Sequence, residues 1–192
     1  MPGFGEKLEQ FTKNQIEYID NLSSIASAFS SFAKMPGTNP VEVNLIDQIK
    51  ITLELFKDTG RITFDVKWPA ETKVIVYADK EHLNGVFSNL IKNGIQSIPP
   101  ERDGLIKVSL VVKSDKVIAS ISDNGTGIPK DLQKKLFTPN FTTKSSGMGL
   151  GLSIVKKYVE TANGRIWFES EADKGSVFYV ELPLKYTVEK LG

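Results

Sequence analysis

The chain of 192 residues contains no cysteine and only one histidine. Disulfide bonds and thiolate chemistry are therefore excluded, which suits a reducing cytoplasm. Positive and negative charges are nearly balanced, with 24 Lys and Arg residues and 23 Asp and Glu residues. This balance gives no electrostatic footprint for nucleic acid or for an anionic membrane surface. No apolar run approaches the roughly 20 residues that span a bilayer. We therefore expect a cytoplasmic chain without a nucleic-acid partner and without direct membrane contact.

A heptad pattern near the N-terminus predicts one long amphipathic helix. Its seam positions are spaced alternately three and four residues apart, and all but Gln15 are apolar: Leu8, Phe11, Gln15, Tyr18, Leu22, Ile25, Phe29 and Phe32. Further apolar residues at Ile16, Ile19, Ala26 and Ala33 widen the stripe, which favours packing against several neighbours as in a four-helix bundle. We expect a homodimer through this helix. Packing of the helix on its own domain is the alternative.

Helix-breaking residues divide the chain into two units. Pro36, Gly37 and Pro40 follow the heptads in quick succession, so the helix should stop near Lys34. We therefore expect a partial dimerisation helix over residues 5–35 and a second domain over residues 41–186.

The second domain mixes helical and strand periodicity. Apolar spacing predicts helices over 45–57, from Asp79 through Ile95, and over about 150–161. Alternation predicts strands over 61–68, 73–77, 104–113, 116–123, 165–170 and 176–182. The turn Ser114-Asp115 joins two of these strands into an antiparallel hairpin. The pattern favours an α/β sandwich, in which helices cover one face of a mixed, largely antiparallel sheet.

Two glycine-rich stretches suggest a nucleotide site. Ser122-Asp-Asn-Gly-Thr-Gly-Ile-Pro129 ends an apolar strand, and a buried carboxylate at Asp123 needs hydrogen-bond donors, such as the amino group of adenine. Asp-Asn-Gly is also common turn chemistry, so a simple turn is the alternative. The second stretch, Gly147-Met-Gly-Leu-Gly-Leu152, precedes an apolar helix, where free N–H groups and the helix dipole attract phosphate.

Two asparagines and an irregular segment complete the candidate site. Asn89 and Asn93 are four residues apart and project from one side of their helix. An amide oxygen can coordinate Mg²⁺ or its waters while the nitrogen donates to phosphate, although two polar residues on a solvated helix face are the alternative. Between the glycine stretches, Leu136-Phe137 and Asn140-Phe141-Thr-Thr-Lys144 have no clear periodicity, which we interpret as a mobile lid.

In this order and at these separations, the motifs resemble the ATP-binding domain of sensor histidine kinases. This domain is part of a superfamily that also includes type II topoisomerases, mismatch-repair ATPases and heat-shock chaperone ATPases. The resemblance covers Val41 to Leu184. It matches Asn89-Leu-Ile-Lys-Asn93 to the asparagine box, Asp123-Asn-Gly-Thr-Gly127 to the first glycine box, Leu136-Phe137 through Phe141 to the phenylalanine box, and Gly147 through Leu152 to the second glycine box. The lid is most similar to that of nitrogen-regulation sensor kinases, and Phe29 through Pro36 is similar to the end of their second dimerisation helix.

The resemblance implies a Bergerat-type ATP-binding fold with ATP and Mg²⁺ as cofactors. Asp123 would accept from the adenine amino group through a water network that includes Ser176. Asn93 and Asn89 would hold Mg²⁺, while Lys92 and Lys144 would approach phosphate. The other residues implied to line the nucleotide belong to the glycine and phenylalanine boxes: Gly125, Gly127, Phe137, Phe141, Gly147, Gly149, Leu150 and Gly151.

One position indicates phosphoryl transfer rather than hydrolysis. The ATPases of the superfamily generally carry a glutamate base where this chain has Asn89. Without that base the hydrolysis of ATP should be slow. We therefore expect transfer of the γ-phosphoryl group to a histidine, followed by signalling through a response regulator. A regulatory ATP-binding module without transferase activity and an anti-sigma-type serine kinase are the alternatives.

The chain departs from the family at the phosphoacceptor. The only histidine, His82, lies on the nucleotide-binding helix without a nearby proline, so we expect a surface residue rather than the acceptor. The first dimerisation helix is not found in the sequence. Our hypothesis is a C-terminal piece of a sensor anchored in the inner membrane, which binds ATP but cannot autophosphorylate alone. Gly94 stands where the family usually has alanine, and a helical glycine costs about 1 kcal/mol.

Overall fold

The structure is a computed structural model that describes residues 38–70, 73–142 and 149–185. It also describes eight helical, exposed positions near the N-terminus: Gly5, Leu8, Glu9, Phe11, Thr12, Gln15, Ile16 and Ile19. Their helical state is what the heptad pattern predicts, while the amphipathic packing of this helix stays a prediction. The other positions of the predicted unit 5–35 lie outside the described residues, so the division into two domains stays a prediction. In the part of the chain that is described, no helix is long and apolar enough to cross a membrane.

The described part of the domain contains four helices and seven strands. The helices are α1 (Leu45–Glu54), α2 (Lys80–Ser97), α3 (Lys130–Gln133) and α4 (Gly151–Thr161). The strands are β1 (Val41–Asn44), β2 (Ile62–Lys67), β3 (Ile75–Ala78), β4 (Gly104–Lys113), β5 (Lys116–Asp123), β6 (Arg165–Glu171) and β7 (Gly175–Pro183).

The strands form one large and one small sheet. The large sheet has the order β2-β4-β5-β7-β6, in which only the β2–β4 pair is parallel. A separate antiparallel pair, β1 with β3, makes the small sheet. The predicted α/β sandwich with a mixed, largely antiparallel sheet is confirmed.

The core lies between the large sheet and the helices α2 and α4. Along β5 the inward series Val117, Ala119 and Ile121 is almost fully buried, and Asp123 continues the same series. Because side chains alternate between the two faces of a strand, the carboxylate is directed toward the helices and not toward solvent. From α2, Phe87 is completely buried in this core. The fold thus places an acidic group at the end of an otherwise apolar row.

Several predicted boundaries differ from the structure. The first helix ends at Glu54 instead of residue 57, because Leu55 is 66% exposed and the chain turns there through Phe56 N–H donating to Leu53 O. The strand predicted over 73–77 is found at Ile75–Ala78. His82 was expected on the surface, and the structure shows its ring half-buried and stacked on that of Tyr158.

Candidate functional site

Asp123 is a buried carboxylate held by two donors. Its side chain is 8% exposed, and Oδ1 accepts from Ser97 Oγ at 2.9 Å and from Gly125 N–H at 2.9 Å. A buried carboxylate needs such donors to offset the loss of water. Asp123, the last residue of β5, is therefore fixed in place beside the C-terminal end of α2.

Ser176 lies directly opposite Asp123 on the neighbouring strand β7. It is 4% exposed, and its Oγ is 2.9 Å from Ser170 Oγ on β6. Ser170 Oγ also accepts from Ile128 N–H at 2.8 Å, which ties the end of the first glycine stretch to the sheet. The structure thus brings Ser176 next to Asp123 within a small hydroxyl network.

Both glycines of the first stretch are required by close approaches of the backbone. A Cβ on Gly125 would lie 2.0 Å from Ser97 Oγ. Gly127 has φ +67°, and its Cβ would lie 2.1 Å from Glu171 O. Thr126 N–H donates to Ser97 O at 3.0 Å. The loop is therefore pressed against the end of α2 at Gly125 and against the end of β6 at Gly127, and a side chain at either glycine would force those backbones apart.

Arg102 clamps this loop from outside. Its guanidinium donates to Asn124 O at 2.5 Å and to Gly125 O at 2.9 Å. The Asn124 side chain accepts from Leu105 N–H at 2.9 Å and donates to Asp103 O at 2.9 Å. The loop that carries Gly125 is thus bonded to the α2–β4 connection as well as to α2 itself.

Asn89 lies where α2 meets the start of α4. Its Nδ2 donates to Gly85 O at 2.9 Å, and a Cβ on Gly151 would lie 2.8 Å from its Oδ1. Since the nitrogen is bonded within α2, the oxygen is the atom that faces α4. Leu150 caps α4 without a side-chain hydrogen bond, and the first turn of α4 carries no acidic residue. An amide oxygen and the N-terminus of a helix are therefore adjacent.

The remaining predicted site residues are found in different settings. Asn93 is half-buried on the same helix, and Lys92 beside it is exposed. Phe137 packs edge-on against Phe168, with ring centroids 5.9 Å apart. The hypothesised lid therefore begins after Phe137, because that ring and Leu136 belong to the border of the core.

Gly149 lies close to the backbone of Phe141, eight residues earlier in the chain. Gly149 has φ +67°, and a Cβ there would lie 2.4 Å from the backbone of Phe141, whose side chain is half-buried. A side chain at position 149 would therefore separate the two backbones. Lys144 and Gly147 lie outside the described residues, and their proposed contacts stay predictions.

Ser97 and Arg102 were missed by sequence reasoning. Ser97 follows Asn93 by one helical turn, a spacing that offered a signal for a polar group on the same side of α2. Arg102 lies in an irregular connection, and only the folded chain brings it to Asn124 and Gly125. No pattern in the sequence points to that contact.

The N-terminus of α2 is also fixed by an acidic side chain. Asp79 Oδ1 accepts from Glu81 N–H at 2.9 Å and from His82 N–H at 3.2 Å, and its Oδ2 accepts from Asn39 N–H at 2.9 Å. Burial alone would raise the pKa of Asp79, but these backbone N–H groups and the charge of His82 lower it below its ordinary 3.8. The helix that carries Asn89, Asn93 and Ser97 thus begins at a strong cap.

One helix joins the two ends of the candidate site. Asn89 contacts the start of α4, and Ser97, eight residues further along α2, contacts Asp123. Eight residues of α-helix rise about 12 Å. The site can therefore offer a buried acceptor at one end and amide oxygens with helix N–H groups at the other. No cluster of three or more His, Cys, Asp or Glu residues suited to a metal ion occurs within the described ranges.

The sequence is similar to one family of ATPases and to sensor kinases of other organisms. A profile of the histidine kinase-, DNA gyrase B- and HSP90-like ATPases matches residues 78–186. The adaptive-response sensory kinase SasA of Prochlorococcus marinus subsp. pastoris is 32% identical over 188 residues, which cover 93% of this chain and 50% of that protein. A sensor histidine kinase of Rickettsia typhi, described as NtrY-like, is 30% identical over 182 residues. The match covers 93% of this chain and 30% of that protein. The chain thus spans about half of these relatives, or less.

Solved structures of the histidine kinase ThkA are also similar. Its nucleotide-free catalytic domain has a TM-score of 0.68 and 34% identity, and the match covers 76% of this chain and 96% of that one. ThkA in complex with the response regulator protein TrrA has a TM-score of 0.75 and 29% identity, and the match covers 96% of this chain and 53% of that one.

Proposed function

This chain belongs to the family of histidine kinase-, DNA gyrase B- and HSP90-like ATPases, and from that premise we propose that it is the catalytic domain of a sensor histidine kinase. In this proposal the domain binds ATP with Mg²⁺ and transfers the γ-phosphoryl group to a histidine on a dimerisation helix. The acceptor helix is not among these 192 residues, whose one histidine is His82. His82 is half-buried in a ring stack and does not suit that role.

The observation that carries this proposal is the double role of α2. At one end its Ser97 holds Asp123, and about 12 Å away its Asn89 faces Gly151 at the start of α4. An extended nucleoside triphosphate needs such a separation between the groups that bind its base and the groups that bind its phosphates. Asp123 would accept from the adenine amino group, with Ser176 in the water network beside it.

The donor set fits Mg²⁺ at the phosphate end. Asn93 and Asn89 would hold the ion through amide oxygens, and Mg²⁺ bound by few protein ligands keeps several waters. When bound, the ion would neutralise charge that develops on the transferred phosphoryl group. Lys92, Lys144 and the N–H groups that start at Gly151 would add positive potential there. Phe137 and Phe141 would border the nucleotide where the lid begins.

The side chain of Asn89 supports transfer to a protein side chain over hydrolysis. An amide has no basic group at neutral pH, so Asn89 cannot take a proton from an attacking water. A histidine ring supplies its own lone pair, which attacks the γ-phosphorus while the bond to the departing ADP breaks. Positioning and neutralisation of charge then provide most of the catalysis.

The proposed partners follow from the same family. ThkA has been solved in complex with a response regulator protein, which supports a response regulator as the partner of this chain. The exposed apolar residues Leu8, Phe11, Ile16 and Ile19 support a homodimer through the N-terminal helix. We further propose that this domain is cytoplasmic and that the whole protein is anchored in the inner membrane.

The test supplies the acceptor from outside. The chain is mixed with a separately prepared histidine-bearing dimerisation domain and labelled ATP, and label on the acceptor is followed over time. We expect transfer by the wild type, loss of at least about tenfold in Asp123→Asn because a buried base contact is lost, and no change in the exposed turn variant Asp115→Asn. Equal labelling by wild type and Asp123→Asn would refute the adenine contact. ATP binding without any transfer would support a regulatory module instead.

A further inference from the structure

Ser97 lies in the last turn of α2, between the asparagines and the first glycine stretch. We propose that Ser97 is a positioning residue for base recognition, because its hydroxyl fixes the orientation of the Asp123 carboxylate. This inference rests on the proposed binding of adenine at Asp123. It assigns no contact between Ser97 and the nucleotide itself.

The hydroxyl and a backbone group share one carboxylate oxygen. Ser97 Oγ and Gly125 N–H both reach Oδ1 of Asp123 at 2.9 Å. Two donors from different elements, α2 and the glycine loop, restrict rotation of the carboxylate about its bond to Cβ. Hydrogen bonds to an ionised group are stronger than neutral ones, so this restraint is substantial.

The contact is also enforced by packing. A Cβ on Gly125 would lie 2.0 Å from Ser97 Oγ and 2.7 Å from Ser97 Cβ, so the loop backbone lies directly against this side chain. Thr126 N–H donates to Ser97 O at 3.0 Å and holds the loop there. Ser97 therefore has little freedom to leave Asp123.

A second acceptor is available to the same hydroxyl. Ser97 Oγ lies 2.8 Å from Gly94 O, one turn earlier in α2. A hydroxyl has one proton and donates to one acceptor at a time. The carboxylate of Asp123 is the stronger acceptor of the two, so the hydroxyl donates to Asp123.

The other side of the carboxylate faces a residue without a side chain. A Cβ on Gly94 would lie 3.3 Å from Asp123 Cβ and 3.8 Å from Oδ2. No side chain of residue 94 therefore restrains Asp123 on that side. Loss of the Ser97 hydroxyl would remove the donor that α2 directs at Oδ1.

The experiment measures preference for the 6-amino group of the base. Binding of ATP is compared with binding of purine riboside triphosphate, which lacks that group, by calorimetry on the full chain. We expect Ser97→Ala to weaken ATP binding about tenfold, as expected for the loss of one hydrogen bond to a charged group, and to leave binding of the analogue nearly unchanged. Ser97→Thr keeps the hydroxyl and should restore most of the preference for ATP.

Two controls separate positioning from damage to the fold. Ser109→Ala removes a hydroxyl that is 2.7 Å from Ser120 Oγ on the sheet, and it should leave the preference unchanged. In the background of Asp123→Asn, Ser97→Ala should have little further effect on the preference, because the two residues act as a unit.

The outcomes for Ser97 and for the proposed function are distinct. A wild type without preference for ATP over the analogue would overturn the role of Asp123, and the inference would fall with it. A wild type with a clear preference that Ser97→Ala retains in full would overturn the inference alone. Equal weakening of both nucleotides by Ser97→Ala would also overturn it, since that result indicates a purely structural role.

Discussion

His82 and Tyr158 stack face to face, with ring centroids 3.9 Å apart and an angle of 8° between the ring planes. His82 is in the first turn of α2 and Tyr158 is in the last turn of α4. The pair therefore joins the two helices whose relative position sets the distance between Asn89 and the start of α4.

Replacement of Tyr158 should show how much this stack stabilises the domain. We expect Tyr158→Leu to lower the free energy of unfolding by about 1 kcal/mol, since aromatic pairs are worth that much beyond the area they bury. Tyr158→Phe keeps the ring and should be close to wild type. Urea denaturation measures both. His82→Phe should retain transfer to a supplied acceptor helix, and loss of transfer in a folded His82→Phe would reopen the question of whether His82 is the acceptor.

Two glycines of α2 allow a matched comparison. Alanine in place of a helical glycine gains about 0.5–1 kcal/mol of stability. At Gly85 a new Cβ would meet only the edge of the Tyr158 ring at 3.3 Å, so Gly85→Ala should show most of that gain. At Gly94 it would lie 2.9 Å from Ile106 Cδ1 and 3.3 Å from Asp123 Cβ, so Gly94→Ala should gain less.

Nucleotide binding extends this comparison. Of the two glycines, only Gly94 adjoins Asp123. We therefore expect Gly94→Ala to bind ATP two- to threefold more weakly than the wild type, and Gly85→Ala to bind ATP with unchanged affinity. Equal stabilisation together with unchanged ATP binding in both variants would contradict this prediction. It would mean that Ile106 and Asp123 can move aside for a side chain at position 94 without any cost.

Much of the fold and part of the site could be predicted from local patterns. The β4–β5 hairpin was predicted with the observed bounds, because strict alternation and the Ser114-Asp115 turn are both local signals. The end of α1 was misjudged since Leu55 continues the apolar spacing but faces solvent. The strand β1 is only four residues long and depends on pairing with β3, which is distant in sequence.

The site was predictable where a residue type alone indicates chemistry. Asp123 was chosen as a candidate because an acidic residue at the end of an apolar strand is unusual, and its burial is observed. Ser97 was not chosen, because a serine near the end of a helix is ordinary until its distance from Asp123 is known. The stacked ring of His82 likewise depends on the packing of α2 against α4, which no local pattern reports.

The cap of α2 predicts a specific dependence on pH. Asp79 has a lowered pKa, so its contribution to stability is present above its ordinary value of 3.8 and is lost as the pH falls below that value. We expect Asp79→Ala to cost about 1 kcal/mol at neutral pH. The difference between wild type and Asp79→Ala should shrink as the pH falls through the acidic range, as measured by urea denaturation at several pH values. A difference that stays constant with pH would argue against the charged cap.

Removal of Mg²⁺ should distinguish two asparagines of the same helix. We expect the wild type to bind ATP more tightly with Mg²⁺ than with EDTA, and Asn93→Ala to lose most of that difference because an amide oxygen is missing at the phosphate end. Asn84 instead accepts from the buried Thr52 hydroxyl at 3.0 Å. Asn84→Ala should lower stability by about 1 kcal/mol and retain the effect of Mg²⁺. Calorimetry measures both, and a full Mg²⁺ effect in Asn93→Ala would remove Asn93 from the proposed ion site.

The close approach of Gly149 to the backbone of Phe141 has a consequence for how such domains diversify. The two ends of the intervening stretch meet at one point, next to a core border that includes Phe137. A segment exchanged between these ends can differ in length without displacing α4 or the sheet, and the entropy of closing a flexible loop rises by only about 0.6 kcal/mol for each doubling of its length. Insertions and deletions between Phe141 and Gly149 should therefore be tolerated, while α2 and β5 stay under the constraints of a packed interior.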